Sequence, residues 1–574
     1  MSLFRDLLID KKRRRYYTEV EYLESTGTQY IDTGYIASNT SGFKVDIMPL
    51  QTSDRYFIGS RPRTIGNDRW LAGSISGPQV YIGWNTNTFV NWELNKVHTV
   101  QNNFLNSRTK VLDGTVVAQI TETLASQGTR TAYLFSANDS NVTSMDICRI
   151  YGAKISDGNT LVRDFIPVLD WDMTPAMYDK VSGQLFYNQG TGSFTYGRQI
   201  HPVEYLESTG TQYINTGYKP NTNTECSMAF MFTSLDSTYR TPLSIRTSDG
   251  AADSFTMATT TTSLLNFAFG TTYFDVTTSP QANTYYKATL KSGEATLNNL
   301  SVTKAASTIT QSGLTAYMFA RNANGTASNF FKGKIYNCQI KESNTLVRDY
   351  IPCVDESGTG YMFDRVTHTL FGNSGTGQFA YPPVELEYIE NTGTQYINTG
   401  YNPNSNTKVE ARFKMNETTD TFKWLFLSRN ENLAGDGYGF GSVANGYIDS
   451  EFNNRKTSTT DKLTNGVIYD VVKDKNVCQY NDKTLTNPNS TFTVNYPLTI
   501  FVLNNGAAGI AQSTYTKANC YYFKIYDNGT LVRDLVPAFK DGSAGMWDKA
   551  NNVFYSNAGT GSFVAGSVIE PKFE

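Results

Sequence analysis

One segment of this chain occurs three times at even spacing, so the fold must be one that can be built three times over. EYLESTGTQYIDTGY at 21–35 returns as EYLESTGTQYINTGY at 204–218 and EYIENTGTQYINTGY at 387–401. A second block reads NTLVRDFIP at 159–167, NTLVRDYIP at 344–352 and GTLVRDLVP at 529–537. Each copy then closes on Met-aromatic-Asp-basic (Met177 to Lys180, Met362 to Arg365, Met546 to Lys549), followed by G-T-G-x-F at 190–194, 375–379 and 559–563. Solenoid repeats are about 20–50 residues long, and this period is several times longer, so the copies read as complete tandem domains. They span 19–199, 200–382 and 383–566, between an N-terminal segment 1–18 and a tail 567–574.

The blocks are written in strand and turn residues. Thr28 to Tyr35 partly alternates, with Gly27 and Gly34 free to take turn conformations. Leu161 to Pro167 reads as a strand stopped by proline, which has no N–H for a ladder. Charged residues are only 18%, while 37 Tyr and 33 Phe supply the flat side chains that half-buried strands favour. This composition excludes a coiled coil, a mostly helical enzyme and a disordered chain. It predicts an all-β chain of three antiparallel β-sandwiches. The two ends of each copy match almost letter for letter, whereas the middles (38–130, 221–313, 404–496) hardly align. The ends therefore read as framework, and the middles as three different surfaces.

A formal net charge of -3 from 49 basic and 52 acidic residues gives no global field for nucleic acid or anionic lipid, so neither is expected as a partner. No apolar run approaches the roughly 18 residues of a membrane span. Six cysteines lie at unrelated places in the three copies without a C-x-x-C pair, the pattern of plain thiols in a reducing compartment. At the N-terminus Leu3, Phe4, Leu7 and Leu8 fall on one face of a short helix, and Lys11, Lys12, Arg13, Arg14 and Arg15 follow. The order is the reverse of an export signal. A helix that short needs a partner to bury its face, so the segment is expected to dock on a larger assembly or on itself.

With these motifs in view, the chain resembles the laminin-G-like, concanavalin A-type jelly-roll domains. They occur in tandem in fibre and other virion proteins of gut bacteriophages and in surface proteins of gut bacteria. The resemblance spans about 19–566. It implies a two-sheet jelly roll that binds glycan or host-surface protein, and does not fix the ligand. In a virion, assembled in the host cytoplasm, the N-terminal residues would dock on other particle proteins, and fibres of this kind are usually oligomeric.

Catalysis finds little support. A glycosidase needs two carboxylates about 5–9.5 Å apart. Asp449/Glu451 and Asp170/Asp172 are two residues apart but recur in no other copy, and Glu19/Glu21 and Glu385/Glu387 sit at domain entrances, where solvation is expected. The three histidines, His98, His201 and His368, hold unrelated positions, so no triad is indicated and no catalytic residue is assigned. The recurrent pairs Arg163/Asp164, Arg348/Asp349 and Arg533/Asp534 read as scaffold, each pairing with a group such as Asp179, Asp364 or Asp548.

Candidate ligand residues come from two patterns. F-x-x-N recurs at Phe135/Asn138, Phe319/Asn322 and Phe501/Asn504, with Asp139, Asn324 and Asn505 in the polar loops behind. Such oxygens suit a tight turn, and equally calcium or sugar hydroxyls, although no metal-binding loop and no other cofactor is indicated. Trp70, Trp84 and Trp92 crowd the middle of copy one, and flat rings are platforms for sugars or fillers of a core, so copy one is the favoured carbohydrate site.

Overall fold

In the computed structural model the described residues are 17–569 except 53, 62–69, 76, 123–128, 140–144, 171, 236–238, 249, 261–263, 278–279 and 431–436. The docking residues Leu3, Phe4, Leu7, Leu8 and Lys11 to Arg15, and most of the tail, lie outside them. Among the described residues there is no α-helix, and the chain is all-β.

Each copy lays a smaller sheet against a larger one. In copy one the smaller sheet runs Ile31–Ile36, Thr131–Leu134, Arg55–Ser60, Trp70–Ile75, Gln79–Trp84, Thr86–Asn91. Copy two repeats that order from Ile214–Asn215 through Tyr317–Met318, Leu243–Arg246, Phe255–Thr259 and Leu265–Phe269 to Thr272–Thr277. Copy three repeats it from Ile397–Asn398 through Thr499–Ile500, Lys423–Arg429, Gly437–Ser442 and Tyr447–Phe452 to Asn454–Lys462. The larger sheets are centred on Ser41–Pro49, Thr224–Phe232 and Thr407–Met415, each antiparallel to the strand that precedes its L-V-R-D strand. The core lies between the two sheets: in copy three Val409, Ala411 and Phe413 of one pack with Phe426, Tyr438 and Phe440 of the other.

The near-identity of the copy ends has a physical cause, since in each copy the opening and closing blocks bind each other. The hydroxyls of Thr28, Thr211 and Thr394 donate to the carbonyls of Thr191, Thr376 and Thr560, each at 2.9 Å. A Cβ on Gly190, Gly375 or Gly559 would lie 2.0–2.1 Å from the carbonyl of Thr28, Thr211 or Thr394, so this approach admits only glycine. Gln29, Gln212 and Gln395 are buried beneath, accepting the backbone N–H of Thr26, Thr209 and Thr392 at 2.8–3.0 Å.

Proline does not stop the second-block strand. Thr160–Asp170, Thr345–Val354 and Thr530–Lys540 run on through Pro167, Pro352 and Pro537. On one side of Thr160–Asp170, pairing with Cys148–Asp157 covers Thr160 to Phe165, and pairing with the opening strand Tyr17–Val20 covers Val168 to Asp170. Pro167 falls in the gap between those two partners, where its missing N–H costs nothing.

The 199/200 boundary falls inside a strand. Gln199–Pro202 pairs with Tyr17–Val20 of copy one and with Thr345–Val354 of copy two, so it is both the last strand of one copy and the first of the next. The chain divides into two compact units, one reaching to residue 381 with the first two copies, the other starting at 382 with the third.

Candidate binding faces

In each copy the inner face of the smaller sheet forms core, and its outer face carries residues from the divergent middle. The three outer faces differ in chemistry.

Copy two presents an open groove of about 300 Å³. Its strands alternate: Phe255, Met257, Leu265, Phe267 and Phe269 are fully buried, while Thr256, Ala258, Asn266 and Ala268 line the groove floor. Tyr239, Tyr273 and Arg246 stand at its sides. The Gly250 N–H donates to the Tyr273 hydroxyl at 2.8 Å, which fixes that ring, and Asn266 Nδ2 donates to Asp275 Oδ1 at 2.6 Å. Thr256 and Ala268 are 5% and 1% exposed, so the surface a ligand could touch is half-buried Ala258, Asn266, Arg246, Tyr239 and Tyr273.

Copy three closes the same face with charge. Glu451 and Asp449, next-but-one neighbours on Tyr447–Phe452, are both 0% exposed. Arg429 grips Glu451 with two nitrogens, Nε to Oε1 at 2.6 Å, and Arg455 Nε reaches Asp449 Oδ2 at 2.9 Å. Burial pushes the Glu451 carboxyl above its ordinary range, against the pull of Arg429. Gly437, Gly439 and Gly441 face the same way, and a Cβ on them would strike Glu451, Leu427 and Trp424. The carboxylate pair that invited a hydrolase reading is thus consumed in ion pairs. On the inner side of the same strand the fully buried Lys473 donates to Ser450 Oγ at 2.8 Å, and burial lowers its ammonium pKa to about 8.

Copy one carries an aromatic face. Leu71, Tyr81 and Ala137 are buried with Tyr56 and Ile75 packed on them, and Phe89, 54% exposed, lies 6.1 Å from Tyr81. Arg61 sits over the Tyr56 ring and pairs with Asp139.

The tryptophan expectation is corrected. Trp70, Trp84 and Trp92 are 1%, 1% and 5% exposed within the copy-one core, and a platform needs an open ring face. The aromatic residues that do reach the outer face, Tyr56, Tyr81 and Phe89, come from the same middle and were masked by the louder tryptophans.

The F-x-x-N asparagines are locks rather than ligand donors. Phe135, Phe319 and Phe501 are buried and left-handed, with φ of 62°, 63° and 75°. There the chain turns from antiparallel to parallel pairing on one strand, as at Leu243↔Met318 and then Ile245↔Asn322. Asn138, Asn322 and Asn504 donate Nδ2 to the carbonyls of Thr131, Thr315 and Pro497 at 3.0, 2.7 and 2.9 Å, holding the turn shut. The closing phenylalanines Phe194, Phe379 and Phe563 pack on the turn phenylalanines at 4.6, 4.7 and 5.8 Å. Asn324 is an exposed left-handed turn residue, and the Asn505 N–H bonds Gly509 within a tight turn. Among the described residues no cluster of three His, Cys, Asp or Glu side chains could hold a metal.

Arg163, Arg348 and Arg533 reach Asp179, Asp364 and Asp548 at 3.6, 3.4 and 3.6 Å. Those aspartates, all 0% exposed, accept the backbone N–H of Asp164, Asp349 and Asp534 at 2.8–3.0 Å and cap the following turn. Glu19 departs from expectation: it is 5% exposed, on a strand flanked by Thr160–Asp170 and Gln199–Pro202 and with the buried His368 3.9 Å from its carboxylate, whereas Glu385 pairs with Lys549 at 2.6 Å. All six cysteines are buried and unbridged.

No protein-family model and no curated protein matches the chain. Among solved structures it is similar to the LG1-3 region of the laminin α2 chain, at 9% identity and a TM-score of 0.24 over 96% of this chain and 100% of that one. It is also similar to domains LG4-5 of the mouse laminin α1 chain, at 14% identity and a TM-score of 0.19 over 57% and 88%. At these scores the all-β assignment stands on the strand order itself.

Proposed function

We propose that the chain is a non-catalytic recognition protein in which one framework, built three times, presents three different outer faces. The copy-two groove takes a carbohydrate ring, and the chain is a bacteriophage fibre or decoration protein docked by its N-terminal segment. The observation that carries the binding reading is the groove itself: two tyrosines beside half-buried Ala258, with Asn266 and Arg246 in reach. The absence of a free carboxylate pair where Asp449 and Glu451 stand favours binding over hydrolysis. The virion setting rests on the sequence resemblance of the opening, second and closing blocks. Tandem copies raise effective concentration at a multivalent surface, which makes weak single contacts useful.

A glycan array probed with the full chain, followed by the Tyr273→Ala variant, tests the groove. Binding that falls about five- to thirtyfold in the variant, with copy two still folded, is the expected result, since one stacked aromatic ring contributes on the order of 1–2 kcal/mol. A full chain that binds no glycan, or a variant that binds undiminished, overturns the reading.

A further inference from the structure

We infer that His368 pins the first two copies into one rigid body and that acid withdraws the pin. The residue belongs to copy two, in the turn after the buried Asp364, and its φ of 51° is left-handed. The other copies place Gly183 (φ 72°) and Asn552 (φ 54°) at that point, residues that accept such a backbone readily, so a histidine there is conformationally expensive. Its ring is 3% exposed and packs on the backbone of copy one. A Cβ at Gly152 would lie 3.2 and 3.3 Å from His368 Cδ2 and Nε2, and the residues at equal register in the other copies are Asn337 and Tyr522, so only copy one has the seat.

The surroundings favour the neutral ring. Nδ1 lacks a hydrogen bond, and Glu19 Oε1, 3.9 Å away, pulls toward the charged ring without outweighing burial. From copy one Lys44, Lys154 and Lys180 also face it, the latter two sharing Asp164 at 3.3 and 3.5 Å. From its own copy Phe363 lies 6.0 Å away, and nearby Arg365 is held by Asp349. Around the pin the joint is apolar, with Ile200, Ile351, Cys353 and Phe363 in one cluster. The second histidine of the joint, His201, lies on the shared strand opposite Val354, so two of the chain's three histidines belong to strands and turns of this joint. Burial, reinforced by the three lysines, lowers the His368 pKa to about 3, and burial also lowers that of His201. A folded value below the ordinary 6.5 means that the pin's contribution is complete above about 6.5 and is lost as pH falls toward 3.

Hydrogen exchange of the full chain, read by mass spectrometry and corrected for intrinsic rates, tests this. Peptides carrying Tyr17–Val20, Gln199–Pro202 and Thr345–Val354 should lose about tenfold or more in protection between pH 7.5 and 5.5 relative to the copy-one core strand Ser41–Pro49, which shares the opposite pH response of the buried Asp146, while copy-three peptides serve as a second reference. His368→Asn, which keeps a residue suited to the left-handed turn, should remove a tenfold share of that loss. Protection at the joint that does not change with pH in the wild-type chain overturns the proposal whatever the variant does. A variant that folds and keeps the full pH loss overturns it too.

Discussion

The outer faces of copies two and three are built on the same sheet order and are opposites. In copy two Thr256, Ala258, Asn266 and Ala268 line a groove of about 300 Å³ in which Ala258 and Asn266 are half-buried. In copy three Glu451 and Asp449 occupy the corresponding strand, and Arg429 and Arg455 close over them. The glycines of Gly437–Ser442 make the closure sterically possible, by leaving space for Glu451, Leu427 and Trp424. The lesson is that this framework leaves the outer face free: alternate residues on two middle strands decide between a groove and a sealed ionic surface without altering the core.

The largest effect should come from breaking that seal. Arg429→Leu leaves Glu451 buried and unpaired, and should cost copy three about 3–5 kcal/mol in urea unfolding followed through copy-three peptides. The double change Arg429→Leu with Glu451→Met should recover most of it. A single variant costing no more than a surface pair would show that the seal is ornamental.

Copy one supplies the next contrast. Asp146 occupies a core position where the other copies place Phe331 and Thr516, as the matching bonds to the Phe135, Phe319 and Phe501 carbonyls show. Burial raises its pKa from 3.8 to about 7, with Ser74 donating to it at 2.9 Å. The folded state favours the protonated acid, so this stabilisation is complete below about pH 4 and is lost as pH rises through 7. Copy one should therefore lose about 2–3 kcal/mol of stability between pH 5 and pH 8, seen in its melting profile, and Asp146→Thr should flatten that slope. Smaller still, Asn322→Ala should cost copy two about 1–2 kcal/mol by opening its turn, leaving copy three unchanged in denaturant unfolding. At the exposed left-handed Asn324, a change to glycine should shift the midpoint by no more than about 0.5 kcal/mol.

The framework was legible because repetition marks it. Three matching ends predict bonded ends, and Gly190, Gly375 and Gly559 sit where their carbonyl partners leave no room for a side chain. The faces were not legible by the same means, since they lie where the copies disagree. Phe255-Thr-Met-Ala-Thr and Leu265-Asn-Phe-Ala-Phe do alternate, which foretells an inner and an outer side, but nothing local says that Tyr239 and Tyr273 flank the latter. Tryptophan drew attention to copy one because it is large and rare, yet its size is what a sandwich core consumes. The Asp449/Glu451 spacing correctly places both on one face, while the arginines that neutralise them come from other strands. Pro167 misled for a related reason: its lack of a donor matters only where a partner asks for one, and the gap between two neighbours is set by tertiary pairing.

The shared strand also has a mechanical meaning. Tyr17–Val20 and Gln199–Pro202 run antiparallel with Glu19 opposite Ile200, so the chain enters and leaves copy one at the same end of that ladder. Tension along the chain therefore peels the two strands apart one bond at a time instead of shearing them together. Copy one hangs from the path of the load like a bead on a short stem, so pull loads the Tyr17–Val20 and Gln199–Pro202 ladder first.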